Sequence, residues 1–127
     1  MELKLHDTLD YSVIKFPATY EIPEAFNSLT AFKSITYTND ECSFVVPTDS
    51  LNTNQATAVD SGWFIIQIVG ELDFSLVGIL TQLANPLAEQ GISIFALSTY
   101  NTDYLLIKNT EKERALQTLI QAGHTFN

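Results

Sequence analysis

"WFIIQIVGELDFSLVGILTQLANPLAEQG", residues 63–91, changes its hydrophobic period partway along, and that change decides the fold. Trp63 to Val69 are apolar apart from one glutamine and rich in β-branched and aromatic side chains, the composition of a buried strand, and Gly70 closes the run. Further on, Leu76, Ile79, Leu80, Leu83 and Leu87 recur every three or four positions, the period of a helix with one apolar face. Asp73 stands at an N-cap position, which predicts a helix over 74–90, and Gly91 stands where a left-handed C-terminal residue belongs. Pro86 lacks an N–H and is expected to kink or divide this helix near Gln82.

Toward the C-terminus the pattern continues with a strand over 92–97, a polar connection Ser98 to Asp103, and a strand over 104–108. Then comes "TEKERALQTLIQAG", where Thr110 and Glu113 have capping-box spacing, Ala115, Leu116, Leu119 and Ile120 form a stripe, and Gly123 stops the helix. A short strand, His124 to Phe126, ends the order β-α-β-β-α-β. That order is the ferredoxin-like split β-α-β motif, an α+β fold with an antiparallel sheet and both helices on one face. Strands 63–69 and 92–97 are expected side by side at mid-sheet, with the polar segments "GELDFS" and "STYNTD" emerging at one edge.

Toward the N-terminus a weaker copy is legible. "YSVIKF" reads as a strand, Pro23-Glu24 opens a short helix through Phe26, and "FKSITYTNDECSFVV" reads as a hairpin turning at Asn39-Asp40. Residues 48–61 are polar without an apolar stripe and read as a connecting segment. The expected organisation is two units in tandem: a degenerate one over 1–62 and a complete one over 63–127.

With 46% hydrophobic and 17% charged residues in 127, the chain has the composition of one soluble globular domain with a real core. No apolar run is long enough to cross a bilayer, and the N-terminus lacks a basic, apolar leader, so the expected compartment is the cytoplasm. The net charge of −9 argues against nucleic acid, which is held through lysine and arginine. Between Lys33 and Lys108 there is no lysine or arginine, whereas Asp40, Glu41, Asp49, Asp60, Glu71, Asp73, Glu89 and Asp103 all fall there. A ligand held by this stretch must offer a cation, or rest its anion on main-chain N–H groups.

Enzymatic readings find little support. His6 and His124 stand alone, with no metal-ligand spacing, and no nucleophile elbow, P-loop or dinucleotide fingerprint occurs. Cys42, the single cysteine, reads as a small side chain in a strand. A hydrolase built on the carboxylates of Asp73 and Asp103 has no further residue to support it. No catalytic residue, metal site or cofactor is expected.

The run from Gly62 to Asn109, together with "DECSFVVP" upstream, resembles the ACT-domain family of small-molecule regulatory modules, most specifically in "GELDFSLVGIL", "GISIFALST" and "TDYLLI". Within the family it is similar to small stand-alone bacterial ACT proteins related to the regulatory half of aspartokinase and to the cytosolic arginine sensors of eukaryotes. The resemblance implies tandem ACT units and a free amino acid bound between such units, its carboxylate on main-chain N–H groups of the loop entering the helix. Carried onto this chain, that loop is Gly70, Glu71, Leu72, Asp73, Phe74 and Ser75, with Gly78 following. Asp103 matches the acid that faces a cationic ligand in the arginine-sensor branch, and Ser98, Thr99 and Thr102 surround it in sequence. Ser93 stands where aspartokinase-like chains carry an asparagine. Having only two units, the chain is expected to self-associate as a homodimer, and a regulated protein partner is a further expectation. The competing expectation is an interaction module of this fold without a ligand.

Overall fold

The computed structural model describes residues 1–70 and 78–127. They form two compact units, one of Leu9–Gly62 and one of Met1–Thr8 with Trp63–Asn127, so the first eight residues belong with the C-terminal part of the chain. The fold is α+β and ferredoxin-like, with a largely antiparallel sheet and two helices. Its strands are β1 (Glu2–Phe16), β2 (Ser34–Tyr37), β3 (Cys42–Pro47), β4 (Ala58–Ile68), β5 (Phe95–Ser98), β6 (Asp103–Lys108) and β7 (Thr125–Phe126), and its helices are α1 (Thr81–Glu89) and α2 (Lys112–Gln121).

In the unit containing Trp63–Asn127 the strands run in the order β7-β1-β4-β6-β5. β6 therefore lies between the two strands expected to be neighbours: β4 and β5 each pair antiparallel with β6 rather than with each other. A further departure is the N-terminal stretch of β1, which inserts between β7 and β4 and pairs in parallel with β7 through Glu2 and Leu3. Its alternation explains the fit: Leu3 is fully buried, with Met1 and Leu5 packed beside it, while Glu2 and Lys4 are exposed.

Register divides β4 and β6 into two faces. Phe64 opposite Ile107 and Ile66 opposite Leu105 face Leu83 and Leu87 of α1 and Ala115 and Leu119 of α2 in one buried cluster, so both helices cover the same face. The other face carries Trp63 opposite Lys108, Ile65 opposite Leu106 and Gln67 opposite Tyr104. There the Lys108 ammonium lies 4.6 Å from the Trp63 ring centroid, Phe95 meets that ring edge-on, and Ile65 and Leu106 are buried. The strand expected over 92–97 is shorter, because the Ile92 N–H is committed to the Leu87 carbonyl (2.9 Å) at the end of α1. Ile92 and Ile94 still pack on the helix side.

Both helices stop as their glycines predict. Gly91, at φ +71°, takes the left-handed conformation, its N–H reaching Ala88 O and that of Ile92 reaching Leu87 O; Gly123 and His124 repeat the pattern on Ile120 and Leu119. Their starts differ from expectation. A helix over 74–90 cannot be continuous, since Gly78 has φ +74°, and α1 begins only at Thr81; residues 74–77 lie outside the described residues. A 3₁₀ turn over Asn109–Glu111 leads into α2 and puts Glu111 at the cap, so the Thr110–Glu113 capping box does not form.

Pro86 does not divide α1. It leaves the carbonyl of Gln82, four residues earlier, without its helical donor. His124 Nε2 supplies the replacement at 3.0 Å, and Nδ1 accepts from the Met1 nitrogen at 3.0 Å, two contacts that together select the Nε2–H tautomer. Buried at the end of α2, His124 is thus a structural donor that ties two helices.

The unit Leu9–Gly62 is built on β2-β3-β1 with a second core of Ile14, Phe16, Phe26, Cys42, Phe44 and Val46. The β2–β3 hairpin turns where expected, Tyr37 opposite Cys42 and Thr38 N–H on Glu41 O (2.9 Å). The short helix is a 3₁₀ turn, Glu24–Ser28, whose carbonyl end is taken up by the Lys33 ammonium through Phe26 O (3.0 Å), Asn27 O (3.3 Å) and Leu29 O (2.7 Å). The polar connection ends earlier than 61, because Ala58 to Gly62 already belong to β4 with their outer residues exposed.

The Pro86–His124 relation predicts a double-mutant cycle. His124→Ala should destabilise by about 1–3 kcal/mol, the usual cost of an orphaned buried acceptor. In a Pro86→Ala background the residue at 86 regains an N–H for Gln82 O, and urea unfolding should find the His124→Ala cost reduced.

Candidate functional site

β4 and β5 are both antiparallel to β6, so the end of β4, the end of β5 and the start of β6 lie at one edge of their unit. Thr102 fixes that edge. Its buried hydroxyl donates to Ile68 O at 2.8 Å, joining the polar connection to the last residue of β4. The connection itself is a closed turn: Thr99 N–H reaches Thr102 O (2.9 Å) and Thr99 Oγ1 donates to the same carbonyl (3.2 Å).

Opposite one another at the mouth of this hairpin are Ser98 and Asp103, and Ser98 Oγ donates to Asp103 Oδ1 at 2.6 Å. Alternation along β6 puts Asp103 on the face of Leu105 and Ile107, the helix-bearing face. Among the described residues no lysine or arginine pairs with Asp103. Ser98 holds one of its carboxylate oxygens, Oδ1.

Gly70 follows the end of β4 and is exposed, and Gly78 precedes α1, its carbonyl accepting from Thr81 Oγ1 (2.7 Å) and from Gln82 N–H (3.3 Å). Of the residues singled out in the sequence, Ser98, Thr99, Thr102 and Asp103 thus form one hydrogen-bonded group, and Gly70 begins two residues beyond the carbonyl that Thr102 holds. Glu71, Leu72, Asp73, Phe74 and Ser75, and with them the proposed Asp73 cap, lie outside the described residues.

The unit Leu9–Gly62 holds, where β3 ends against the Tyr11–Ser12 part of β1, a cluster that no sequence motif announces. Ser12, fully buried, bonds to Thr48 Oγ1 (2.8 Å) and Ser61 Oγ (2.7 Å), and Thr48 in turn donates to Asp10 Oδ2 (2.6 Å). These residues are scattered over fifty positions, and only β-pairing brings them together. Cys42 is buried at the start of β3, and burial pushes its thiol up from the usual 9.0, the opposite of what a nucleophile needs. Among the described residues no group of three His, Cys, Asp or Glu side chains is placed to hold a metal, and no helix is long and apolar enough to cross a membrane.

A family model for the ACT domain matches residues 58–121, from the start of β4 to the end of α2. The chain belongs to the ACT domain family. Its ACT fold is similar to that of protein Atu0741 from Agobacterium tumefaciens, with 32% identity, a TM-score of 0.87, and 99% of this chain and 91% of that one covered. The regulatory subunit of aspartate kinase from Thermus thermophilus, in its ligand-free form, shares the fold at 14% identity and a TM-score of 0.62 over 93% of this chain and 94% of that one. The human protein CASTOR3P is 28% identical over 99 residues, 69% of this chain and 61% of that protein. The chain thus spans about three fifths of the length of that curated relative.

Because the Cys42 thiol is raised above its unfolded value of 9.0, its contribution to stability is complete below pH 9.0 and is lost as pH rises through the folded value. Tyr11, whose buried hydroxyl donates to Phe32 O, is raised from 10.0 for the same reason and adds to the loss above that pH. Denaturation curves at rising pH should show Cys42→Ala losing less stability between pH 9 and 10 than the parent chain. In the native state at pH 8 a soluble thiol reagent should label Cys42 no faster than the protein opens.

Proposed function

We propose that this ACT protein is a non-catalytic regulator that binds a free amino acid at the edge where β4 ends and β6 begins. The observation that supports this reading most is the Ser98–Asp103 pair, a carboxylate oriented by a hydroxyl, in a chain segment that has no lysine or arginine of its own. An ammonium or guanidinium is the partner such a group selects. The carboxylate of the same ligand would rest on main-chain N–H groups of the loop Gly70, Glu71, Leu72, Asp73, Phe74 and Ser75, with Gly78 behind it, as the family resemblance implies. Ser98, Thr99 and Thr102 then shape the hairpin side of the pocket. A zwitterion satisfies both halves.

Membership of the ACT family and the fold shared with an aspartate kinase regulatory subunit support regulation over catalysis. We further infer that the site is completed by an ACT unit of a second copy of the chain, which makes the working species a homodimer. What the protein regulates would then be a partner that reads this ligand-bound dimer. Sedimentation at micromolar concentration should report a species of twice the chain mass, sharpened by ligand.

The test begins with a thermal-shift screen of the proteinogenic amino acids, in which a ligand at a hundred times its dissociation constant adds about 2.7 kcal/mol. Calorimetric titration with the amino acid found should show Asp103→Asn binding about tenfold to a hundredfold more weakly while unfolding as the parent does. Asp73→Asn serves as the comparison, since asparagine caps a helix almost as well as aspartate. Binding no tighter than millimolar by every amino acid, or an unchanged affinity in Asp103→Asn, would leave the ligand-free interaction module in its place.

A further inference from the structure

The unit Leu9–Gly62 has no α-helix: a 3₁₀ turn, Glu24–Ser28, stands for one, and a 3₁₀ turn, Thr48–Ser50, followed by a turn at Asn54–Gln55 that Ala56 N–H closes on Thr53 O (3.0 Å), for the other. Between them the chain leaves two adjoining cavities of about 610 Å³ and about 440 Å³, which share Pro23 and Asn52. Together they make one groove with two ends of different chemistry.

At the larger end are Tyr20, Glu21, Asn54 and Gln55. The Tyr20 ring is stacked on Phe16 at a centroid distance of 3.8 Å and meets Phe44 edge-on, so it is a fixed wall. Asn52 is oriented by the Asn54 N–H, which donates to its Oδ1 at 2.8 Å. Among the described residues the Glu21 carboxylate and the side-chain amides of Asn54 and Gln55 have no protein partner. The smaller end is lined by Ala25, Phe26, Leu29 and Leu51.

Glu21 is the single charged residue on either lining. Lys33, whose ammonium lies 5.1 Å from the Phe26 ring centroid, is on neither lining, and its three donors are taken by main-chain carbonyls. An anion in this groove would meet a carboxylate and no free cation. A cation finds the Glu21 carboxylate beside the side-chain amides of Asn54 and Gln55, and an apolar body attached to it finds the end lined by Ala25, Phe26, Leu29 and Leu51.

We propose that this groove is a second small-molecule site, selective for an amphipathic amine whose ammonium pairs with Glu21 and whose apolar group lies against Leu29 and Leu51. The size suits a compound of modest length, since small-molecule sites commonly run from about 300 to 1,000 Å³ with a few polar groups fixing orientation. It is separate from the amino-acid site, shares none of its residues, and needs no carboxylate on the ligand.

The experiment is an amide NMR titration of the full chain with phenethylamine, run beside phenethyl alcohol and 3-phenylpropionate. Phenethylamine should give saturable shifts at Thr19 to Ala25 and Leu51 to Gln55, leave Ser98 to Asp103 unmoved, and bind more tightly than either comparison compound. Glu21→Gln should weaken it about fivefold, the scale of a solvent-exposed ion pair, and Asp103→Asn should leave it unchanged. Equal binding of the alcohol or the carboxylate, shifts that do not saturate, or shifts at Ser98 to Asp103 instead would overturn the proposal. None of these outcomes depends on whether an amino acid binds at Asp103.

Discussion

The apolar face shared by β4 and β6 is the constraint from which the rest of the C-terminal unit follows. Phe64, Ile66 and Ile68 alternate with Trp63, Ile65 and Gln67, so a slip of one residue against β6 would turn every large side chain to the wrong side. Two helices fit over that face only if Leu83 and Leu87 of one and Ala115 and Leu119 of the other point at it together. Once the register is fixed, the end of β4 and the start of β6 must meet at one edge. The hydrogen bond from Thr102 to Ile68 O records that meeting.

The same constraint explains how binding capacity is separated from stability. The core between β4 and β6 is made by Phe64, Ile66, Leu105 and Ile107, which are paired across the two strands. Ser98, Thr99, Thr102 and Asp103 come from strand ends and the turn between them, where a polar side chain costs the core nothing and can bond to local backbone. Pro86 and His124 show the reverse arrangement. There a helix carries a defect, the orphaned Gln82 carbonyl, and a buried imidazole from the end of the other helix repairs it.

Much of this was legible in the sequence because it is local. The run Trp63 to Val69, the stripe of α1, the stops at Gly91 and Gly123, and the hairpin around Asn39-Asp40 each announce themselves within a dozen residues. What escaped depends on pairing between distant segments. Glu2 to Thr8 alternates weakly, with Leu3 and Leu5 between charged neighbours, and nothing local says that it inserts beside β4. The placement of β6 between β4 and β5 is likewise a property of the assembled sheet, not of either strand. At the candidate site the sequence identified Ser98, Thr99, Thr102 and Asp103 through their density of hydroxyl and carboxylate groups, whereas the Ser12 cluster and the Glu21 groove are assembled from residues too far apart to form a pattern.

A ligand pocket at the β4–β6 edge is what the proposed function of this ACT fold rests on. Backbone amide NMR of the labelled full chain, titrated with the proteinogenic amino acids, tests it most directly. At least one amino acid should move the resonances of Gly70 to Gly78 and of Ser98 to Asp103 together, with one shared saturation curve. Saturable shifts confined to other residues, or no saturable shift with any amino acid, would contradict it.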